Sequence, residues 1–227
     1  MLGLVSLAMF LFIAFGPRVL VLRLTREDAL VENAGALCFF VAGLLAMRLF
    51  LRSQSASRWW VLGWAVFCFF CFGEEISWFQ RVVGYSTPEA VGNANVQGEM
   101  NIHNLWFLQG HFWGDALKGS FDWGIVLGAP NLFRIGFLFY FILLPLSVRM
   151  PRIGALLERF GYSPPGMSFV GAVLVVLLIS LLLSLICDPR HIKALSETRE
   201  SYYAFVILIS LAWYPASFCA GSAGESL

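Results

Sequence analysis

Charge is what this sequence has least of. Only 13% of its 227 residues are Asp, Glu, Lys or Arg, and it holds three histidines. A chain so poor in charge cannot make the mixed polar surface of a water-soluble domain. Its residues are 59% hydrophobic, and apolar area left in water costs about 25 cal/mol per Å². The net charge of +1 excludes a nucleic-acid partner, because no basic stripe is present to displace counterions from phosphates. The sequence also contains no Walker loop, GxSxG elbow, HExxH pair or dinucleotide fingerprint, which removes the usual signatures of nucleotide, serine-hydrolase and zincin chemistry. Its five cysteines form no disulfide framework. Cys68 and Cys71, one helical turn apart in the apolar run Phe67–Phe72, read as small packing residues and not as a redox or metal pair.

What is present is hydrophobicity in long runs. Leu2–Leu22, Asp28–Leu51, Arg58–Gln80, Asn131–Met150, Met167–Cys187 and Ser201–Cys219 each approach the ~20 residues that cross a bilayer. They predict an all-α fold: a polytopic transmembrane helical bundle of about six spans, forming one domain over residues 1–227. Met1–Phe15 lacks a basic leader and reads as a retained first span, not a signal peptide. One connection is long. Arg81–Pro130, rich in Gly, Asn and aromatics, is expected to be a structured outer loop containing short interfacial helices, with Asn101–Lys118 as one candidate.

Charge sets the expected orientation. The second and fourth connections carry Arg48, Arg52, Arg58, Arg149, Arg152 and Arg159, with Glu158 as their acid. The positive-inside rule makes these connections cytoplasmic, together with both termini. All but Glu158 and Glu225 of the fourteen carboxylates, and all three histidines, then fall on the outer, extracytoplasmic face.

The polar residues on that face are concentrated. The third segment ends Gly73-Glu74-Glu75-Ile76-Ser77-Trp78-Phe79-Gln80-Arg81. Counted from Arg58 at 1.5 Å per residue, Glu74 lies about 24 Å along a helix, still within a core of about 30 Å. An unpaired charge there costs at least ~2.5–3.5 kcal/mol. On a continuing helix Glu74, Ser77 and Arg81 would share a face, with Glu75 turned about 100° away. A loop follows, crowded with amides: Asn93, Asn95, Gln97, Glu99, Asn101, His103 and Asn104. Whether helical from Gly98 or extended, Glu99 and His103 would lie on one face, as two ligands of one metal ion or as an acid orienting an imidazole. Asp28 with Glu32, and Glu197 with Glu200, add acid pairs at the same predicted face. Each also reads as a helix start favoured by the helix dipole. The eight tryptophans read mostly as an interfacial belt.

GEEISWFQR (Gly73–Arg81) followed by NVQGEMNIHNL (Asn95–Leu105) resembles a family of bacterial multi-pass membrane proteins. Its signature is EEISW-x-QR, a Thr-Pro stretch (here Thr87-Pro88) and N-x-QGE-x-N-x-HN. The resemblance implies the membrane class and no particular chemistry. More distantly, Glu74-Glu75 with Arg81, and Phe107 with His111, resemble the EExxxR and FxxxH motifs of CPBP intramembrane proteases. The spacing of the first is longer here. The three histidines and acids also resemble, without an HxxxH, the zinc-holding set of alkaline-ceramidase-like membrane hydrolases.

The leading expectation is a membrane-embedded hydrolase acting on a lipid or periplasmic substrate. Glu74 or Glu75 would be general base, with Arg81 beside them. His103 with Glu99 would be an acid or the ligands of a divalent transition metal such as zinc. Gln97, Asn101, Asn104, Ser77, Glu197 and Glu200 would contact substrate. Two other readings stand beside it: a proton- or ion-coupled transporter using intramembrane carboxylates, and a non-catalytic subunit packed against a membrane-protein partner.

Overall fold

The computed structural model describes residues 2–26, 29–53, 57–109 and 128–213. Among these the secondary structure is helical, with no strand and one isolated bridge between Asn95 and Leu105. The helices are α1 (Leu2–Phe15), α2 (Arg18–Thr25), α3 (Leu30–Arg52), α4 (Arg58–Glu75), α5 (Gln80–Val83), α6 (Glu89–Ala94), α7 (Ala129–Leu138), α8 (Leu144–Ser147), α9 (Pro151–Arg159), α10 (Met167–Ile186) and α11 (Ile192–Ala212). Three stretches are long and apolar enough to cross a membrane: one within Arg18–Arg52, Ala129–Ser147 and Met167–Ile186. The chain divides into two compact units, Met1–Phe69 with Leu144–Leu227, and Phe70–Leu143.

Several expected boundaries move, each for a local reason. The first segment is not one helix to Leu22. It breaks at Gly16-Pro17, because proline has no N–H to give the preceding turn and disfavours helical backbone at the residue before it. Gly16 N donates to Phe12 O at 2.7 Å, and α2 restarts after Pro17. The third segment ends at Glu75, not Gln80. The last helix starts at Ile192, nine residues ahead of the expected Ser201, and its expected end at Cys219 lies outside the described residues. Phe139–Leu143 forms a π turn just ahead of Pro145, whose missing N–H frees a carbonyl in the turn before it. The described part of the expected interfacial helix over Asn101–Lys118 holds one 3-10 turn, Trp106–Leu108. Residues 110–127 lie outside the described residues.

In the first unit α11 is the central helix and packs on α1, α2, α3 and α10. Leu195, Thr198, Tyr202, Val206 and Ile207 are 0–1% exposed. Close packing and hydrogen bonds join these helices. Small residues supply the closeness: Gly35, Ala36, Ala42, Gly43 and Ala46 are all buried on α3. A Cβ at Gly35 would lie 3.0 Å from Ser201 Oγ and 3.3 Å from its Cα. Ser201 Oγ in turn donates to Val31 O at 2.7 Å. Arg199 ties α11 to α10, donating to Ser184 Oγ at 2.8 Å and Ser180 O at 3.3 Å. Phe10 meets Tyr202 edge-on at 5.8 Å, and His191 Nδ1 lies 3.1 Å from Ala14 O.

Gly35→Leu should therefore force α3 and α11 apart and destabilise the protein by about 1–3 kcal/mol. Thermal melting in detergent would show this as a lowered midpoint, with Gly35→Ala intermediate. An unchanged midpoint in Gly35→Leu would contradict the close approach.

Candidate functional site

The second unit contains the polar motif, and its geometry begins where α4 stops. After Ile76 the backbone turns left-handed for three consecutive non-glycine residues: Ser77 (φ 48°), Trp78 (φ 51°) and Phe79 (φ 65°). Left-handed backbone costs roughly 1–2 kcal/mol per L-residue, so three in a row persist only where surrounding contacts impose them. Such contacts surround the turn. Ser77 Oγ donates to Glu99 Oε2 at 2.6 Å, and Tyr85 Oη donates to Trp78 O at 3.0 Å. Gln80 next to the turn donates to Thr87 Oγ1 at 2.6 Å and accepts from Met100 N at 2.8 Å. The Trp78 ring folds back over Gly73, where a Cβ would lie 3.0 Å from it. Glycine at 73 thus makes room for the indole.

Glu74 is the centre of this arrangement and is 5% exposed. Its Oε1 accepts Trp78 Nε1 at 2.6 Å. Its Oε2 accepts the backbone N–H groups of Ile102 and His103, both at 2.7 Å, and lies 3.1 Å from His103 Nδ1. A carboxylate offers about four acceptor sites, and four donors converge on this one. It sits in the last turn of α4, where the helix dipole opposes negative charge. The two successive loop amides and the indole supply the compensating positive ends.

The loop is held in shape by its own amides. Asn95, 5% exposed, donates through Nδ2 to Asn101 O and Oδ1, both at 2.8 Å, and accepts from Gln97 N and Glu99 N through Oδ1. Asn101 Nδ2 reaches Glu99 Oε2 at 3.3 Å and Ser77 Oγ at 3.4 Å. Asn104 Nδ2 donates to Gln97 Oε1 at 2.7 Å, and Gln109 Nε2 donates to His103 O and Asn104 Oδ1. These bonds satisfy backbone and side-chain groups that a buried turn would otherwise leave costly.

The expected grouping is accordingly rearranged. Glu74, Ser77, Glu99, Asn101 and His103 do come together, but not on one helix face, because α4 ends at Glu75. Residues 98–104 are neither helical nor extended. Glu99 joins Ser77 and Asn101, whereas His103 joins Glu74. Gln97, Asn101 and Asn104 shape the loop, and the last two are buried. Glu75 is half-buried at the end of α4. Glu197 and Glu200 lie on α11 in the other unit, as does Glu32 on α3. The Arg81 side chain, Asp28 and His111 lie outside the described residues. Asp188 is a local helix start. It accepts from the Arg190 guanidinium and backbone N–H, and these bonds hold its carboxyl below the usual carboxylate range.

The expected metal ligands Glu99 and His103 are not grouped on one ion by the geometry of the described residues. Among the described residues no three His, Cys, Asp or Glu side chains are placed to hold an ion, and Glu99 and His103 serve different partners. What Glu74 and His103 do form is a carboxylate–imidazole pair. Glu74 offers the ring only acceptor oxygens, so it is a proton on Nδ1 that completes this pair, with Nε2 on the far side of the ring. The His103 side chain is 41% exposed, against 6% for Glu74. Buried acid behind, partly exposed imidazole in front, is the geometry of an oriented general base.

Sequence reasoning gave Gly73, Gln80 and Asn95 no role of their own within the motif, did not single out Tyr85 or Gln109, and read Trp78 as part of the aromatic belt. Neither a family model nor a curated protein nor a solved structure matches this chain.

Glu74→Gln places an amide NH2 where an acceptor is required, facing either the indole or the loop amides. It should destabilise the protein by about 1–3 kcal/mol and speed hydrogen exchange at Ile102 and His103. Trp78→Phe removes one donor of four and should cost about 1 kcal/mol. Equal exchange rates in wild type and Glu74→Gln would contradict the anchoring.

Proposed function

We propose that this chain is a membrane-embedded hydrolase whose general base is His103, oriented by Glu74. The observation that carries the reading is the buried carboxylate set behind a partly exposed imidazole. Nε2 of His103 takes a proton from water as the water oxygen attacks the carbonyl or phosphoryl centre of a substrate; the bond from that centre to the leaving group then breaks, and the imidazolium returns its proton to the departing atom. Glu74, an acceptor on both oxygens, stabilises the resulting imidazolium. Glu74 is therefore a positioning residue and not the base, because its own oxygens already receive four donors. The substrate is a lipid or a periplasmic molecule reaching the outer leaflet.

The topology that goes with this reading has six spans in the bacterial inner membrane, both termini cytoplasmic, and the 81–130 loop outside. The three long apolar stretches and the sorting of acids and histidines support it. The sequence likeness to bacterial multi-pass proteins carrying the EEISW-x-QR signature points the same way. A non-catalytic subunit is the competing reading, favoured by the same closed network, since motif residues that bind one another also make a rigid docking face. A transporter has less in its favour, because a proton-carrying carboxylate must exchange partners and Glu74 is held on both oxygens.

The test is turnover by purified protein in vesicles of bacterial lipid extract, with product release followed by mass spectrometry. His103→Gln should lower the rate by roughly 10²–10⁴ with the fold intact. Turnover unchanged in His103→Gln would overturn the assignment. Absence of turnover in wild type, with a fixed membrane protein co-purifying, would favour the subunit.

A further inference from the structure

A second feature lies in the first unit, which brings together two connections far apart in sequence. Trp60 Nε1, at the start of α4, donates to Phe160 O at 2.7 Å, just past the end of α9. The Trp60 and Tyr162 rings meet edge-on at 5.6 Å. The Arg58 guanidinium lies 4.9 Å from the Trp59 ring and 5.9 Å from the Phe50 ring of α3. The end of α3, the start of α4 and the end of α9 thus form one basic and aromatic rim.

α9 is strongly amphipathic. At 100° per residue Ile153, Leu156, Leu157 and Phe160 fall within one third of the helix circumference. Arg152 and Arg159, seven residues apart, flank that face on one side, and Glu158 points away. None of its residues is buried, and Leu156 and Phe160 are 53% and 62% exposed. Nearby Leu51, Trp59 and Met150 are 70%, 59% and 57% exposed. Arg48, Arg52, Arg149, Arg152 and Arg159 are exposed as well, and Glu158 is the acid on these connections. Apolar side chains left outward beside exposed guanidiniums suit one environment, the boundary between acyl chains and headgroups.

We propose that this rim binds anionic phospholipid. α9 lies in the leaflet surface with Leu156 and Phe160 among the acyl chains, and Arg52, Arg152 and Arg159 take phosphodiester headgroups. Guanidiniums bind phosphate oxygens bidentately, and the scarcity of carboxylates leaves little to compete. The inference rests on the membrane reading but not on the hydrolase. It gives the rim a definite function: to fix the depth of this unit in the leaflet and hold a shell of acidic lipid around it.

The test uses the full chain purified in detergent, given phosphatidylglycerol or phosphatidylcholine, with bound lipids counted by native mass spectrometry. Wild type should retain phosphatidylglycerol in preference, and added salt should weaken the preference. Each surface arginine is worth roughly fivefold, so R52Q/R152Q/R159Q should reduce the preference by at least about tenfold. R190Q serves as control, because Arg190 follows α10, about 30 Å of helix from the rim, and should leave it unchanged. Equal retention of both lipids by wild type, or an undiminished preference in the triple variant, would overturn the proposal. Carbonate extraction of membranes separates the two readings: a chain released by carbonate fails the membrane reading itself, whereas a retained chain without lipid preference fails only the headgroup site.

Discussion

A carboxylate at the carboxyl end of a helix is an unfavourable thing to bury. The dipole repels it, and low dielectric removes the water that would stabilise it. Glu74 is such a group, and the second unit is arranged around answering it. Two backbone N–H groups from a loop 28 and 29 residues further on, and one indole N–H from the next turn of chain, meet its oxygens. The answer has a structural consequence. Amides can point at Glu74 only if the loop returns to the helix end, so the position of Ile102 and His103 follows from the charge at 74. The imidazole of His103 is delivered to that carboxylate by the same contact.

The left-handed turn follows from the same constraint. The indole of Trp78 reaches back to Glu74, and Ser77 reaches forward to Glu99, from a turn where α4 has stopped and the chain has reversed its hand. Three positive φ values carry a local cost of several kcal/mol by the per-residue figure of roughly 1–2 kcal/mol. Bonds to Ser77 Oγ, Trp78 O and Gln80 offset it. Strain concentrated next to a buried carboxylate and an oriented histidine is the pattern expected where a site is built and not merely tolerated. The rim at α9 is an independent feature: the second unit pairs a carboxylate with an imidazole, and the first presents arginines beside aromatics.

How much of this could be read from the residues depends on which force decides each element. Met167–Ile186 was legible, because an uninterrupted apolar run leaves the backbone no choice but helix. The break at Gly16-Pro17 was written in the sequence and overlooked under a hydropathy average. Glu74, Ser77, Glu99, Asn101 and His103 were identified as one polar constellation, since acids and amides in so apolar a chain stand out. Their pairing was not legible. Helical and extended periodicities both placed Glu99 with His103, but the loop follows neither, and its course is set by tertiary hydrogen bonds from Glu74 and Asn95. The left-handed turn has no local signal at all. Ser77, Trp78 and Phe79 are residues that ordinarily avoid that region, and only Gly73, which leaves space for the indole, marks it in hindsight.

The account turns on where the proton of His103 resides. Nitrogen-15 NMR of the histidine rings in isotopically labelled protein, with His103 assigned by its substitution to Gln, reports this directly. The prediction is a ring that carries a proton on Nδ1, because Glu74 offers only acceptors to the Nδ1 side. A ring found with its proton on Nε2, or exchanging between the two nitrogens as a free imidazole does, would contradict the Glu74–His103 pair.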